Sequence, residues 1–73
     1  MLKYGDLVKL TPIAKLSFLI TKNAHKTLWI DKETICLYVG QIPSITYKTY
    51  LILINNVVYK VFPEDKNFLI EKL

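Results

Sequence analysis

The sequence predicts a single small domain over residues 1–73, mainly β, folded as a five-stranded barrel with one short helix after the first strand. Three observations predict this fold class. The chain has only 73 residues, 52% of which are hydrophobic. Short runs of β-branched and aromatic residues alternate with turn residues, and one hairpin is apolar on both faces. A chain of this length buries only about 60% of the surface exposed when unfolded, so a dense core, self-association or both must stabilise it.

The first strand is predicted at residues 7–10, after the turn residues Gly5 and Asp6. Thr11 and Pro12 then suit a helix N-cap and a first helical position. Apolar residues follow at the helical spacings of three and four, namely Ile13, Leu16 and Ile20. Residues 12–22 are therefore predicted to form a short helix. An extended loop is the alternative, because the segment also contains residues that favour strands.

The clearest local pattern is a hairpin made of residues 45–54 and 57–62, joined by Asn55 and Asn56. Asparagine tolerates a positive φ, so this two-residue turn sets the register. The predicted pairs are Ile54 with Val57, Ile52 with Tyr59, and Tyr50 with Val61, and these six side chains share one face. The other face carries Leu51, Leu53, Val58, Lys60 and Phe62. A half-buried sheet normally alternates apolar and polar residues, so both faces of this hairpin require cover.

Two further elements complete the prediction. Residues 28–30 and 34–39 form a hairpin whose turn is the charged triplet at 31–33. The second hairpin strand ends before Pro63, because proline cannot donate to a ladder of backbone hydrogen bonds. A short last strand follows at residues 68–70. A polar loop covers residues 21–26.

This order of elements resembles the SH3-like and Sm-like small barrels. The residues that carry the resemblance are GDLVKL at 5–10 and VVYKVFPED at 57–65. Similar openings and breaks occur in short proteins of tailed phages. The resemblance implies the fold and a phage origin. It does not imply RNA binding, because the Asp and Asn nucleotide pocket and the Arg-Gly signature of Sm proteins are missing.

The formal net charge is +4, and all ten basic residues are lysines. A net positive charge favours an anionic partner. The absence of arginine, however, counts against bidentate contacts with phosphates and base edges. Lysine-rich usage also follows from a genome poor in G and C. No apolar run approaches the length of a membrane span, the N-terminus lacks a signal-peptide layout, and Cys36 is unpaired. We therefore expect a cytoplasmic protein in a reducing compartment.

The residues do not predict an enzyme, a cofactor or a metal site. Cys36 lies in an apolar strand, where cysteine is usually inert, and His25 lies in a polar loop. The acid pairs Asp31/Glu33 and Glu64/Asp65 fall in turns. One cysteine and one histidine cannot form a tetrahedral site of these ligands, and two glycines cannot form a phosphate-binding loop.

Two binding hypotheses remain. The first is a single-stranded nucleic acid, contacted by Lys48 and Tyr50, because lysine and tyrosine two residues apart share one face of a strand. The alternative role for such tyrosines is the edge of the core. The second, favoured hypothesis is an assembly module that forms a homo-oligomer. The candidate interface consists of Trp29, Leu51, Leu53, Val58 and Phe62, with a core position as the alternative for Trp29.

Overall fold

Seven antiparallel strands form one sheet in the computed structural model, which describes residues 2–14, 17–43, 48–63 and 67–73. They are β1 (Leu7–Pro12), β2 (Ser17–Thr21), β3 (Thr27–Ile30), β4 (Thr34–Ile42), β5 (Thr49–Ile54), β6 (Val57–Val61) and β7 (Phe68–Lys72). Their order across the sheet is β3-β2-β6-β5-β4-β1-β7. The mainly β fold class is therefore confirmed.

The sheet is open but strongly curved. Its end strands, β3 and β7, do not pair with each other. Curvature nevertheless brings distant strands together, because Ser17 Oγ on β2 lies 3.2 Å from the carbonyl oxygen of Asn67, just before β7. The N–H of Ile13 donates to the same oxygen at 2.8 Å. The predicted five-stranded barrel is thus wrong: the sheet has seven strands and is not closed, because β2 forms in the segment predicted as a helix and pairs with β3, which no other described strand joins.

The core lies on the concave side of this sheet. Its buried hydrophobic residues are Val8, Leu10, Leu19, Ile30, Cys36, Tyr38, Ile52, Tyr59, Val61 and Phe68. Most neighbouring members within a strand are two residues apart, the period of side chains on one face of a strand. We call this side the inner face and the opposite side the outer face.

The helix predicted at residues 12–22 is wrong, because Pro12 ends β1 and residues 17–21 form β2. Ser17, Leu19 and Thr21 are buried, and Phe18 between them is exposed. This alternation has the period of a strand, and its burial outweighs the helical spacing of Ile13 and Ile20. Leu16 lies outside the described residues. Within the described part of the chain, no helix is long and apolar enough to cross a membrane.

The hairpin predicted across residues 31–33 is also wrong. β3 pairs with β2, with Trp29 opposite Phe18, and β4 pairs with β1 and β5. The turn that makes the β2–β3 hairpin is the predicted polar loop. There, Thr21 Oγ1 accepts the N–H groups of His25 and Lys26 at 2.9 and 3.2 Å. A side chain thus closes this turn, and the charged triplet connects β3 to the middle of the sheet.

The β5–β6 hairpin has the predicted register. Ile54 pairs with Val57, Ile52 with Tyr59, and Tyr50 with Val61. Asn55 and Asn56 have φ values of 51° and 64°, the left-handed conformation that the two-residue turn requires. All six paired side chains belong to the inner face, where they are buried or pack against the core. Residues 45–47 of the predicted strand lie outside the described residues.

Candidate functional site

The outer face of β3, β2, β6 and β5 collects the predicted interface residues. The ladders place Trp29 opposite Phe18, Ile20 opposite Lys60, and Lys60 opposite Leu51. Paired residues point to the same side of a sheet, as do residues two apart in a strand. Leu53 and Val58, which pair with each other, therefore share this side. Phe62, two residues beyond Lys60, lines a cavity with Phe18 and Ile20, so all five predicted residues lie along one surface.

The most exposed apolar feature of this surface is the contact between Phe18 and Trp29. Their rings lie 5.3 Å apart, centroid to centroid, at an interplanar angle of 54°. Phe18 is 43% exposed and Trp29 is 61% exposed. Of the two positions left open for Trp29 by the sequence, the structure has the surface position. An exposed aromatic pair of this kind is a common hot spot for binding.

A cavity opens beside this pair because the β2–β6 ladder is short. The two strands pair only through Ile20–Lys60 and Thr21–Tyr59. From Ile20 toward the start of β2 the two strands separate, and a cavity of about 150 Å³ lies between them, with Phe68 of β7 in its lining. We call this opening the seam. Lys60 gives the otherwise mostly apolar seam a positive charge.

The free edge of β3 is chemically unprotected. The Thr21 N–H donates to the Lys26 carbonyl at 3.0 Å. This bond determines which residue pairs of the β2–β3 ladder are hydrogen-bonded to each other and which are not, because the two kinds alternate in an antiparallel ladder. Leu28 consequently directs its backbone groups toward β2, while Thr27 and Trp29 direct theirs away from the sheet. Proteins often protect such edges with charged side chains, yet the strand Thr27–Ile30 contains none.

The opposite edge strand, β7, carries charged residues. Lys72 forms an ion pair with Asp6 at 3.5 Å, and Glu71 forms one with Lys9 at 3.7 Å. The N–H of Lys3 donates to Asp6 Oδ2, and this hydrogen bond, followed by the charge of Lys72, lowers the pKa of the Asp6 carboxyl. Charged side chains discourage edge pairing, so β3 is the more available of the two edges.

Lys48 and Tyr50, predicted to contact nucleic acid, have different environments. Lys48 is exposed just before β5, whereas Tyr50 is only partly exposed and packs against the core. The Tyr50 ring meets Tyr38 edge-on, with centroids 5.4 Å apart and an angle of 90°. Burial, followed by the nearby Tyr50, raises the pKa of the Tyr38 hydroxyl. Contact of this pair with nucleic acid stays a prediction.

Cys36 is held in an unreactive state. It is buried, its Sγ–H donates to the Val8 carbonyl at 3.5 Å, and burial raises the pKa of the thiol to about 11. The thiolate is the nucleophilic form, so almost none is available at neutral pH. Among the described residues, no group of three or more His, Cys, Asp or Glu side chains could hold a metal ion. The pair Glu64/Asp65 lies outside those residues.

One cluster was not identified from the sequence. The turn at residues 22–26 meets the turn at Asn55 and Asn56, where Lys22 N–H donates to the Val58 carbonyl at 3.0 Å. Between these turns lies a shallow, open pocket with a volume of about 410 Å³. Its lining includes Lys22, Asn23, His25, Lys26 and Asn56. We call these five residues the tip cluster. The available signal was charge spacing, because the sequence has no acidic residue from 7 to 30 or from 34 to 63.

Replacing Thr21 with valine should destabilise the protein by about 1 kcal/mol. Valine keeps the shape but removes the oxygen that accepts two N–H groups in the turn. Urea unfolding followed by circular dichroism measures the difference. The control is Thr27→Val, the same substitution at an exposed position of β3, which should change stability by less than about 0.5 kcal/mol. Equal losses for both variants would contradict the role of Thr21.

Comparison of the chain with protein-family models, curated proteins and solved structures finds no match, so its function has to be inferred from the geometry of these surfaces.

Proposed function

We propose that the protein is a non-enzymatic binding module that self-associates through the free edge of β3 and the adjoining Phe18–Trp29 pair. The observation that carries the proposal is the coincidence of these two features on one hairpin. An uncharged edge strand offers backbone groups to a partner, and the large exposed aromatic rings beside it supply apolar area. A second copy of the chain fits both.

The outward direction of the Thr27 and Trp29 backbone groups defines how two copies would pair. In an antiparallel arrangement about a two-fold axis, Thr27 of one copy lies opposite Trp29 of the other. Both residues direct their N–H and C=O groups outward, so each pair exchanges both of its hydrogen bonds. The two tryptophans then lie on the same outer face of a continuous sheet. Such an isologous contact closes on itself and covers the exposed edge of each copy.

The likeness to SH3-like and Sm-like proteins belongs to the same proposal. The strongly curved antiparallel sheet and the tight β5–β6 hairpin support it. An accessory or virion protein of a tailed phage fits a small assembly module of this kind. A reducing cytoplasm suits Cys36, which is buried and has no disulfide partner.

Light scattering after size-exclusion chromatography tests self-association across micromolar concentrations. The native protein should show a mass above one chain, and Trp29→Ala should weaken assembly by about tenfold or more, as expected for a hot-spot tryptophan. Thr27→Lys should have the same direction of effect, because it places a charge on the edge of each copy. The melting temperature of the Trp29→Ala monomer should change little, since this side chain is mostly exposed.

The matched control is Tyr4→Ala, which removes an aromatic ring that is 77% exposed but lies before β1. This variant should assemble like the native protein. A one-chain mass for the native protein at all concentrations would contradict self-association. Equal weakening by Tyr4→Ala and Trp29→Ala would contradict the assignment to β3.

A further inference from the structure

The tip cluster brings two lysines and a histidine of one hairpin against an asparagine of another. Lys22, His25 and Lys26 come from the β2–β3 turn, and Asn56 comes from the β5–β6 turn. The hydrogen bond between Lys22 N–H and the Val58 carbonyl joins the first turn to β6, two residues after Asn56. The cluster is therefore a product of tertiary structure as well as of sequence proximity.

No carboxylate of the described residues lines this surface. The two ion pairs formed between described residues use Lys9 and Lys72, on β1 and β7. The nearest acidic residue along the chain is Asp31, which is separated from Lys26 by the whole of β3. The positive charge of Lys22 and Lys26 is thus available to a ligand, and a ligand that binds here is an anion.

The β2–β3 turn is already ordered without a ligand. Thr21 Oγ1 accepts two of its N–H groups, and Ala24, with a φ of 58°, donates to the Thr21 carbonyl at 2.8 Å. Ordering a loop upon binding is a major cost of association. Because these hydrogen bonds hold the turn in advance, an anion gains the contacts of the cluster without that cost.

We propose that the tip cluster is a phosphate-binding site and that its ligand is the backbone of a single-stranded nucleic acid. Ammonium, imidazole and amide N–H groups all donate hydrogen bonds to phosphate oxygens. Lys22, His25 and Lys26 are exposed, so each contact with a single free phosphate ion is weak in water. A strand that places successive phosphates on several lysines gains by releasing counterions. Two exposed lysines, each of which gains little from a single ion, therefore favour a polyanion.

The continuation of the surface supports the same ligand. The outer face leads from Lys22 past Ile20 and Lys60 to the Phe18–Trp29 pair, following the β2 and β6 registers. Basic residues beside exposed aromatic rings are the usual composition of sites for single strands, where the rings stack on bases. The tip cluster itself contains no residue of β3, whereas the Phe18–Trp29 pair at the far end of this surface also belongs to the proposed self-association.

Fluorescence anisotropy with a labelled oligothymidylate at two salt concentrations tests the proposal. Lys22→Glu combined with Lys26→Glu should lower the affinity at low salt by more than tenfold. It should also reduce the slope of log K against log salt by about 0.7 for each phosphate that the variant no longer neutralises. The control combines Lys3→Glu with Lys32→Glu, the same change of net charge at two exposed lysines outside the cluster. The control should retain the affinity within about twofold and keep the salt slope.

Equal losses for the two double variants would overturn the proposal, because they would show attraction by net charge alone. Absence of binding by the native protein at low salt would overturn it as well. Circular dichroism melts of both variants confirm that they remain folded. The Thr27→Lys variant separates this site from self-association, since it should weaken assembly without weakening oligonucleotide binding.

Nuclear magnetic resonance identifies the source of the phosphate. Addition of the oligothymidylate should shift the amide resonances of residues 22–26 and Asn56. Inorganic phosphate at the same phosphate concentration should shift them far less. Equal shifts with inorganic phosphate would contradict a nucleic acid as the ligand, and shifts centred on Lys48 and Tyr50 would contradict the tip cluster.

Discussion

Replacing Phe68 with alanine should destabilise the protein by about 3–5 kcal/mol, the usual loss for a buried phenylalanine. Phe68 is only 5% exposed and lies in the core at the start of β7. It also lines the seam, so the cavity left by its ring adjoins an existing opening. A chain of 73 residues has a free energy of unfolding of about 4–11 kcal/mol. The variant should therefore lose about a quarter or more of its stability.

The measurement is urea unfolding followed by circular dichroism, with the melting temperature as a second readout. We expect the Phe68→Ala melting temperature to fall by more than about 12 °C. The control is Leu69→Ala on the same strand, because Leu69 points to the outer face and is 49% exposed. It should lose about 1 kcal/mol or less. Similar losses at the two positions would contradict the assignment of the faces of β7.

Replacing Gly40 with valine should destabilise the protein by about 1–3 kcal/mol through backbone strain. Gly40 has a φ of 145°, which residues with a β-carbon rarely adopt. It lies where the β4–β5 register shifts, between Tyr38 and Gly40, as expected of a β-bulge. A β-carbon added there would meet no atom within 4 Å. The loss therefore comes from the backbone and not from a clash of the β-carbon.

Gln41→Val is the control for this prediction. Gln41 is the next residue of β4 and is exposed, and valine is favourable in strands, so stability should change by less than about 0.5 kcal/mol. Thermal unfolding of both variants provides the comparison. A Gly40→Val variant as stable as the native protein would show that the bulge relaxes without cost.

Local structure was predicted from the sequence more successfully than the pairing of distant strands. The β5–β6 register follows from a two-residue turn whose asparagines tolerate a positive φ, so it depends only on neighbours in the chain. The partner of β3 could not be found in the same way. It depends on the Thr21 side chain closing a turn of polar residues, a contact that composition does not reveal.

The segment that contains β2 shows why periodicity misled. Ile13 and Ile20 have helical spacing, yet Ser17 and Thr21 are small polar residues that become buried because their hydroxyls find backbone partners. A hydropathy pattern counts such positions as exposed. The strand alternation was therefore hidden until the partners were known.

The candidate surfaces were partly predictable for a related reason. The predicted interface residues share the outer face because their alternation in β5 and β6 follows from the hairpin register. The exposure of Trp29 depends on its pairing with Phe18 across the β2–β3 hairpin. The tip cluster depends on the meeting of two turns that lie about 30 residues apart in the chain. Contacts over such separations leave no local pattern.

The short β2–β6 ladder has a consequence for how this protein can evolve. The β2–β3 hairpin carries Phe18, Trp29 and the basic turn. Its ladder with the rest of the sheet has only two residue pairs, while Leu19 and Ile30 anchor its inner face in the core. Segments held by few contacts open at a lower free energy than the core. Substitutions at the exposed positions of this hairpin should therefore alter partner choice while the central strands continue to maintain the fold. The protein thus combines a hairpin whose exposed residues can vary with central strands that keep the fold stable.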